Sequence, residues 1–461
     1  MEIKNIKGEL YQFQKEAVEF LISKNGRGLL SLDMGLGKSF TSLAYTAHSN
    51  FTKIIVVSPA SVKLAWENEV KQWTHLKPLM INSKTKLTID EYDTHNIFIL
   101  NYDILIKHFK FLTSFRFDSL IIDESTYIKN PRAKRTKAIK KMSKNISSVI
   151  LLSGTPLLSR PIELFTTLNI LDEDNWNNYF RYAYKFCKAW QSPWGLDVSG
   201  ASNIPELREK LLTYMFRKRK DEVLFELPEK RFIDIPVELD YETNRNYRLL
   251  ENSFVEYLRD IKNKKTSEIR KSLKAEQLVK LGELRRLTAN GKVKPAEEII
   301  NSILESKQKV VVFSAFNEPL EILHEKFKDI SVIITGSSTD VERQSAVDNF
   351  QNDDNIKIFY GGILSAGMGI TLTAGQNVLF IDHSWTPASH HQSIDRIHRI
   401  GSKFNSISIY QLYAVGTIDE KMNEILNVKE CIFNELIDGG STPTKVETDY
   451  VNKVIKQYEK I

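Results

Sequence analysis

A glycine-rich stretch that ends in Lys38 and Ser39 is the first place in the sequence where side chains could do chemistry. It follows the apolar run 29–32 and precedes a segment that predicts a helix over 40–48. Gly35 and Gly37 allow backbone N–H groups to converge on an anion, and a helix start adds partial positive charge. In a phosphate-binding loop of this kind, Lys38 would contact the outer phosphates and Ser39 would ligate Mg²⁺.

The match to the strict pattern G-x-x-x-x-G-K-[ST] is incomplete, because Leu32 occupies the position of its first glycine. Taken alone, the stretch also fits an ordinary turn between a strand and a helix. The rest of the chain has to separate these two interpretations.

Two adjacent carboxylates, Asp123 and Glu124, end the apolar run 120–122. A magnesium–triphosphate site needs one carboxylate to hold the metal's water shell and another to orient the attacking water. Asp123 fits the first role and Glu124 the second. An acidic turn after a strand is the alternative, but a phosphate loop upstream of the pair favours the nucleotide site.

Two arginines, Arg396 and Arg399, are spaced to share one face of a predicted helix in the second half of the chain. They are suited to clamp the γ-phosphate of a nucleotide bound elsewhere in the chain. An arginine supplied in this way accelerates hydrolysis by about 10³–10⁵-fold. Surface arginines on a helix are the alternative interpretation.

Short apolar runs alternate with helical segments in both halves of the chain. These elements must position the residues described above. The predicted strands are 53–57, 97–100, 119–122, 148–152, 309–313, 331–334, 356–360, 378–381 and 407–413. This alternation predicts α/β architecture with parallel sheets flanked by helices. Polar residues such as Ser58, Asn101 and Ser153 follow the strands, where ligands bind in open α/β sheets.

The predicted organisation is two α/β lobes joined by a helical middle. Residues 1–228 form the first lobe, with a helical insert near 161–216, and residues 229–290 form a linking strand and charged helices. Residues 291–437 form the second lobe, and 438–461 form a short linker and a C-terminal helix.

Length and composition agree with a globular protein of two or three domains, because 461 residues exceed one ordinary core. The net charge of +6 does not by itself indicate a nucleic-acid partner. Basic clusters at 129–144 and 217–220 each fit either a solvated helix face or a phosphate contact. The two cysteines, Cys187 and Cys431, are too far apart to predict a disulfide framework or a zinc site.

These blocks, in this order, resemble the Swi/Snf-type (sucrose-non-fermenting) ATPases of helicase superfamily two, and their annealing-helicase branch in particular. The resemblance covers roughly residues 8–437. It implies two RecA-like P-loop NTPase lobes with helical insertions between them. It also implies an ATP- and Mg²⁺-dependent enzyme that acts on double-stranded DNA. In this family the phosphate loop is a shorter Met-Gly-Leu-Gly-Lys, so Leu32 lies outside the glycine pair.

The resemblance also implies roles for individual residues. The implied catalytic residues are Lys38, Asp123, Glu124, Arg396 and Arg399. The implied nucleotide-binding residues are Gln14, which would contact the adenine, and Met34, Gly35, Leu36, Gly37, Lys38, Ser39 and Gly369. The implied metal ligands are Ser39 and Asp123.

Further positions resemble the family's DNA-contact or coupling blocks: Ser58, Pro59, Lys129, Ser153, Thr155, Ser365 and Trp385. A core position is an alternative for Trp385. The resemblance favours the basic run at 129–144 as a phosphate-facing surface, whose contacts would be salt-sensitive and largely independent of sequence.

The chain departs from the family pattern at four places. Ser31-Leu32-Asp33 replaces Ala-Asp-Glu before the loop, and Thr126 stands where many relatives have His. Thr386 replaces Asn between Trp and Pro, and Ser402 replaces Gln after Gly401. These departures concern coupling and the fit to DNA, and the hydrolytic set is complete.

The implied function is an ATP-dependent double-stranded-DNA translocase that remodels or reanneals DNA or displaces bound protein. A strand-separating DNA or RNA helicase with the same ATPase engine is the alternative. A non-catalytic, nucleotide-switched binding module is a third hypothesis, and the intact Lys38, Glu124 and Arg399 speak against it. The core, the insert or a separate protein partner would choose the substrate.

The expected location is the cytoplasm, with association with the nucleoid when the protein is bound to DNA. The N-terminus has no signal-peptide core, and no apolar run approaches the ~18 residues of a membrane helix. The many Lys, Asn and Ile residues suggest an AT-rich genome, such as that of a bacterium or its phage.

Overall fold

The computed structural model describes residues 5–157, 160–192, 195–223, 228–263, 269–363, 370–384, 387–399, 402–423 and 433–438. The chain divides into two compact units. Unit 1 holds the described residues of Met1–Ser192, Leu196–Phe225 and Cys431–Val446, and unit 2 holds Gly195 and the described residues of Glu226–Glu430. The predicted C-terminal helix lies outside the described residues.

Unit 1 is built on a seven-stranded sheet whose paired strands are all parallel, in the order β3-β4-β2-β5-β6-β1-β9. The strands of this unit are β1 Arg27–Leu32, β2 Ile54–Ser58, β3 Pro78–Met80, β4 Ile97–Asn101, β5 Ser119–Ile122, β6 Ser148–Leu152, β7 Trp190–Ser192, β8 Gly195–Asp197 and β9 Met215–Lys218. Strands β7 and β8 form a separate two-stranded sheet.

Helices cover the sheet of unit 1. They are α1 Gln12–Ser23, α2 Lys38–His48, α3 Lys63–Trp73, α4 Ile89–Thr94, α5 Tyr102–Ser114, α6 Lys134–Ser143, α7 Leu164–Leu171, α8 Tyr179–Phe186, α9 Ile204–Leu212 and α10 Lys220–Val223. Strands β2, β5 and β6 are buried along their whole length, because helices pack against both faces of a parallel sheet.

The end of the predicted helical insert differs from expectation. Residues 215–218 form β9, which pairs in parallel with β1 from Leu29↔Met215 to Leu32↔Lys218. The interpretation of 217–220 as a solvated helix face is therefore wrong, because Arg217 belongs to a strand and its side chain is only 10% exposed. Its charge is compensated by carboxylates within the protein, which a sequence pattern does not show.

Unit 2 contains a six-stranded parallel sheet in the order β10-β15-β14-β11-β13-β12. Its strands are β10 Glu229–Val237, β11 Val310–Ser314, β12 Ser331–Ile334, β13 Ile358–Gly362, β14 Asn377–Phe380 and β15 Ser406–Ala414. Strand β10, which the sequence places in a linking segment, is an edge strand of this sheet and pairs with β15 over its whole length.

The helices of unit 2 are α11 Tyr241–Asn263, α12 Ile269–Gly291, α13 Val293–Glu305, α14 Asn317–Lys326, α15 Asp340–Asn352 and α16 Pro387–Ile394. Apolar residues of α11 and α12 pack together with Ile418 and Met422. The predicted α/β class, with parallel sheets flanked by helices in two lobes, is confirmed.

Within the described parts of the chain, no helix is long and apolar enough to cross a membrane. In the same parts, no group of three or more His, Cys, Asp or Glu side chains could hold a metal ion. Cys187 is buried, and burial raises the pKa of its thiol to about 12.

Candidate nucleotide-binding site

The phosphate loop lies between the end of β1 at Leu32 and the start of α2 at Lys38. Gly35 and Gly37 have φ angles of +88° and +74°, in the left-handed region that only glycine adopts without strain. A Cβ atom on Gly37 would also lie 2.6 Å from Nε2 of Gln14. Both glycines are therefore required by the shape of the loop.

The ammonium group of Lys38 lies over the end of β1. Its Nζ donates to the carbonyl oxygens of Leu32 at 2.9 Å and Asp33 at 3.4 Å. A Cβ atom on Gly154, in the block after β6, would lie 3.4 Å from the same Nζ. Carbonyl oxygens orient the ammonium and leave its positive charge in place, as an ion that binds phosphate requires. Ser39 is half-buried and follows Lys38 in the first turn of α2.

Gln14 connects helix α1 to the loop. Its side chain is 4% exposed, and its Nε2 donates to the carbonyl oxygen of Leu36 at 3.1 Å. Its Oε1 accepts a hydrogen bond from the backbone N–H of Tyr11 at 3.0 Å, which caps α1. The amide thus lies next to the phosphate loop, and its contact with adenine stays a prediction.

Asp123 follows β5 and is buried among donors. Trp66 donates its Nε1–H to Oδ2 at 2.8 Å, and the backbone N–H of Glu124 donates to Oδ1 at 2.9 Å. Burial raises the pKa of Asp123, while the bond from Trp66, the charge of Lys38 and the bond from Glu124 act in the opposite direction. Burial disfavours the ionised form of a carboxylate, and a nearby cation stabilises that ionised form.

Glu124 has a strained backbone, with φ 49° and ψ 61°. A non-glycine residue in this conformation costs about 1–3 kcal/mol and persists only where its surroundings enforce it. The hydroxyl of Tyr102 donates to the backbone carbonyl oxygens of Asp123 and Glu124. The backbone N–H of Tyr127 also donates to the carbonyl oxygen of Glu124. The ring of Tyr102 stacks on Tyr127 at 5.2 Å. The two aromatic side chains therefore hold the carboxylate pair in place.

Both arginines lie in unit 2. The sequence predicts that they share one helix, but in the structure they do not. Helix α16 ends at Ile394, and tighter turns follow, in which the N–H of Arg396 donates to the carbonyl oxygen of Ser393. The carbonyl oxygen of Arg396 accepts instead from Leu372, a residue distant in sequence, which explains why the helix does not continue.

Arg396 is buried, and Arg399 is held by two hydrogen bonds. Nη1 of Arg399 donates to Oγ1 of Thr371 at 2.6 Å, and its Nε donates to the carbonyl oxygen of Asp395 at 3.0 Å. Burial lowers the pKa of Arg399, and the charge of Asp395 opposes this shift.

Most candidate DNA-contact residues in unit 1 are buried. Ser58 and Ser153 have no exposed surface, and Pro59 and Thr155 are also buried. Ser58 and Ser153 can therefore act through coupling between elements rather than by touching DNA. Lys129 is 40% exposed and pairs with Glu163 at 3.2 Å. Gly369, Ser365 and Trp385 lie outside the described residues.

The basic run at 129–144 is partly neutralised. Glu173 lies 3.3 Å from the ammonium of Lys140 and 2.7 Å from that of Lys144. Lys134 and Lys137, on helix α6, are exposed. Part of the positive charge of the run is thus paired with an acid, and the charges of Lys134 and Lys137 face solvent.

The site contains residues that the sequence pattern did not mark. Trp66 is 1% exposed and contacts Asp123. Tyr102 supports the backbone of Asp123, and Arg217 lies beside the phosphate loop. A sequence gives little signal for such contacts, because Trp66 and Asp123 are 57 residues apart.

Two protein-family models match the chain. The SNF2-related domain matches residues 13–292, and the helicase conserved C-terminal domain matches residues 291–401. The first model alone covers more than half of the chain.

Curated relatives match nearly the whole chain. The chain is 32% identical over 459 residues to the SWI/SNF-related matrix-associated actin-dependent regulator of chromatin subfamily A-like protein 1 of Xenopus laevis, covering 98% of this chain and 46% of the relative. It is 29% identical over 460 residues to the human DNA annealing helicase and endonuclease ZRANB3, covering 96% and 42%. The chain thus spans about half the length of the curated relatives it matches.

Among solved structures, the Sulfolobus solfataricus SWI2/SNF2 ATPase core in complex with dsDNA aligns at 24% identity with a TM-score of 0.47, covering 95% of each chain. The two relatives named above are animal proteins, and the bacterial or phage origin stays a prediction. The family assignment rests on the sequence matches, which include the phosphate loop and the carboxylate pair. The chain belongs to the SNF2-related family.

Proposed function

We propose that the chain is a DNA-dependent ATPase that couples ATP hydrolysis to movement along double-stranded DNA. This movement would remodel or reanneal DNA or displace bound protein. The observation that carries the proposal is in unit 1, where Lys38 of the glycine-shaped loop lies over the end of β1 and the buried Asp123 follows β5, at the same edge of one parallel sheet. Glu124 follows directly, so that one unit holds a phosphate-binding cation and two carboxylates.

The residues of unit 1 fit a magnesium–nucleotide substrate. Mg²⁺ prefers hard oxygen ligands, and the Ser39 hydroxyl and the Asp123 carboxylate are of this kind. Bound Mg²⁺ would neutralise charge on the outer phosphate oxygens. Lys38 would leave its carbonyl partners to contact those oxygens, and Gln14 would contact the adenine. Glu124, which its backbone conformation and Tyr102 hold in place, would orient the attacking water.

Arg396 and Arg399 would contact the γ-phosphate of the nucleotide. Each guanidinium keeps its charge at all physiological pH values and can contact phosphate oxygens in a planar fork. The bond between Arg399 and Thr371 holds one of them in a defined position. We also propose a role in nucleotide binding for Gly369, and a role in DNA contact or coupling for Ser365 and Trp385.

The DNA-facing part of the proposal rests on Lys129 and the exposed cations of α6. Contacts of lysine with phosphate position a protein on the duplex without reading its sequence. We also propose that a separate protein partner targets the chain to its substrate. The proposed location is the cytoplasm, with association with the nucleoid.

The proposal is tested by the rate of ATP hydrolysis against double-stranded, single-stranded and forked DNA and against RNA. We expect double-stranded DNA to give the largest stimulation. Glu124→Gln should bind ATP with unchanged affinity and lose turnover by at least about 10²-fold, because the water loses its orienting carboxylate. Stimulation by single strands or RNA that equals or exceeds that by the duplex would instead favour a strand-separating helicase. Unchanged hydrolysis in Glu124→Gln would remove that residue from the mechanism.

A further inference from the structure

A partly buried ion-pair network lies directly beside the phosphate loop and is centred on Arg217, whose side chain is 10% exposed and has no part in the proposed hydrolysis. Nη1 of Arg217 lies 2.7 Å from Oδ1 of Asp33, the first residue after β1. The same Nη1 donates to the carbonyl oxygens of Ser31 at 3.2 Å and Gly154 at 3.3 Å. One guanidinium therefore contacts both the start of the phosphate loop and the block that flanks Lys38.

Asp33 is the residue through which the loop is held. Its carboxylate also accepts a hydrogen bond from the N–H of Lys220 at 3.0 Å. Its carbonyl oxygen accepts from the N–H of Leu36 at 3.2 Å and from Nζ of Lys38 at 3.4 Å. A displacement of Asp33 would therefore displace the loop and the ammonium group of Lys38 together.

A second carboxylate reaches Arg217 from a distant part of the chain. Oδ1 of Asp438 lies 2.9 Å from Nε of Arg217, and Asp438 ends the short π-helix Asn434–Asp438. The two residues before it, Leu436 and Ile437, are buried in the hydrophobic core of unit 1, which anchors the segment there.

The two carboxylates of this network stabilise the charged form of Arg217. Burial by itself would lower the pKa of Arg217, but the carboxylates of Asp33 and Asp438 outweigh that effect and raise it. The guanidinium is planar, and its donors point in fixed directions. A bond at Nε therefore determines where Nη1 points, and Nη1 is the atom that contacts Asp33.

We propose that Arg217 is a positioning residue for the phosphate loop and that Asp438 orients it. The inference rests on the proposed assignment of that loop to nucleotide. Its consequence is that the ATP affinity of unit 1 depends on residues 433–438, although Arg217 and Asp438 are 221 residues apart in the sequence.

The test is Asp438→Asn in the full chain, assayed for KM and kcat of DNA-stimulated ATP hydrolysis and for binding of a fluorescent ATP analogue. We expect KM and the analogue Kd to rise about tenfold, as expected for loss of a charged hydrogen-bond partner. The value of kcat should change by less than about twofold, because Asp438 positions the loop and does not touch the reacting atoms. Asp438→Glu should restore most of the affinity. In an Arg217→Met background, Asp438→Asn should have no additional effect.

Glu206→Gln is the matched control, because it removes the ion-pair partner of Lys185 elsewhere in unit 1. A rise in KM no larger than that of Glu206→Gln would overturn the proposal. So would a lower melting temperature of Asp438→Asn with unchanged KM, which would mean that the network only stabilises the fold. Lys38→Ala tests the assignment of the loop to nucleotide separately from the roles of Arg217 and Asp438. If this variant binds the analogue as tightly as the unmodified chain, the assignment of the loop fails.

Discussion

At the scale of single residues, the site depends on side chains that hold the reacting groups. Asp123 receives a hydrogen bond from the indole of Trp66, and its backbone carbonyl receives one from Tyr102. Neither partner is expected to touch nucleotide. A carboxylate with restricted rotation can present one defined oxygen to a metal, and such supporting bonds commonly contribute 10–100-fold to metal affinity or activity.

Trp66→Phe should lower the rate of ATP hydrolysis by about 10–100-fold at neutral pH. The bond from Trp66 lowers the pKa of Asp123 and opposes the effect of burial, so its loss lets that pKa rise further. The carboxylate is then protonated at a higher pH, and the acidic limb of the pH–rate profile should move to higher pH. The measurement is kcat/KM for ATP as a function of pH.

Trp73→Phe is the matched control for this variant. Trp73 lies on the same helix and also donates its Nε1–H to a carboxylate, Oε2 of Glu69, at 2.6 Å. We expect its acidic limb to stay in place. An unchanged acidic limb in Trp66→Phe would show that Trp66 has only a packing role.

At the scale of elements, unit 2 contains a buried ion pair that joins helices to the sheet. Lys292, which has no exposed surface, lies between α12 and α13, and its Nζ lies 2.5 Å from Oδ2 of Asp419. Asp419 also accepts hydrogen bonds from Oγ1 of Thr288 in α12 and from the N–H of Ala414 at the end of β15. One carboxylate thus connects α12 and the junction between α12 and α13 with the end of β15.

Asp419→Asn should lower the free energy of unfolding by about 3–5 kcal/mol, because it removes the ion-pair partner of the fully buried Lys292 ammonium. Denaturation in urea, followed by a probe that reports on unit 2, measures the change. The exposed pair between Lys326 and Glu297 is the control, and Glu297→Gln should cost at most about 1 kcal/mol. Equal losses in the two variants would contradict the role assigned to the buried pair.

The same scale shows which elements a sequence can predict. Strands such as β2 and β11 are continuous apolar runs because both of their faces are covered, and they lie where the sequence places them. Strand β9 was not predicted, because it is short and two of its four residues, Arg217 and Lys218, are cations. The turns around Arg396 were also not predicted, because a hydrogen bond from Leu372 replaces helical pairing there.

At the scale of the whole molecule, the small net charge hides an uneven distribution. The chain carries 64 Lys and Arg residues against 58 Asp and Glu residues, and yet α6 presents the exposed Lys134, Lys137 and Lys141 and contains no acidic residue. Each phosphate neutralised on duplex DNA adds about 0.9 to the slope of log affinity against log salt. Local clusters rather than total charge would therefore determine the affinity of the proposed DNA contact.

Replacing both Lys134 and Lys137 with Gln should weaken binding to duplex DNA and reduce the salt slope by as much as about 1.8. Fluorescence anisotropy of a labelled duplex across a salt series measures this change. Lys144→Gln is the control on the same basic run, because Glu173 already neutralises that lysine, and it should change the slope less per charge removed. An unchanged slope in the double variant would place the DNA on another surface.

The candidate site could be predicted from the sequence only as far as it is local. Glycines next to Lys38, and Asp123 next to Glu124, are neighbours in the chain, and their chemistry is visible in a short window. Gln14 beside Leu36, Trp66 beside Asp123 and Arg217 beside Asp33 are contacts made by the folded sheet. Such contacts depend on strand order and helix packing, which a periodic pattern of apolar residues does not specify.

The separation of Arg217 from Asp438 has a consequence for the newly made protein. At about 5–20 residues per second, a ribosome needs roughly 10–45 s to synthesise the 221 residues that separate them. Every strand of the sheet in unit 1 has been translated by then. On the nascent chain the phosphate loop can therefore form before its last anchor exists, and tight ATP binding would be acquired only after residues 433–438 have been synthesised.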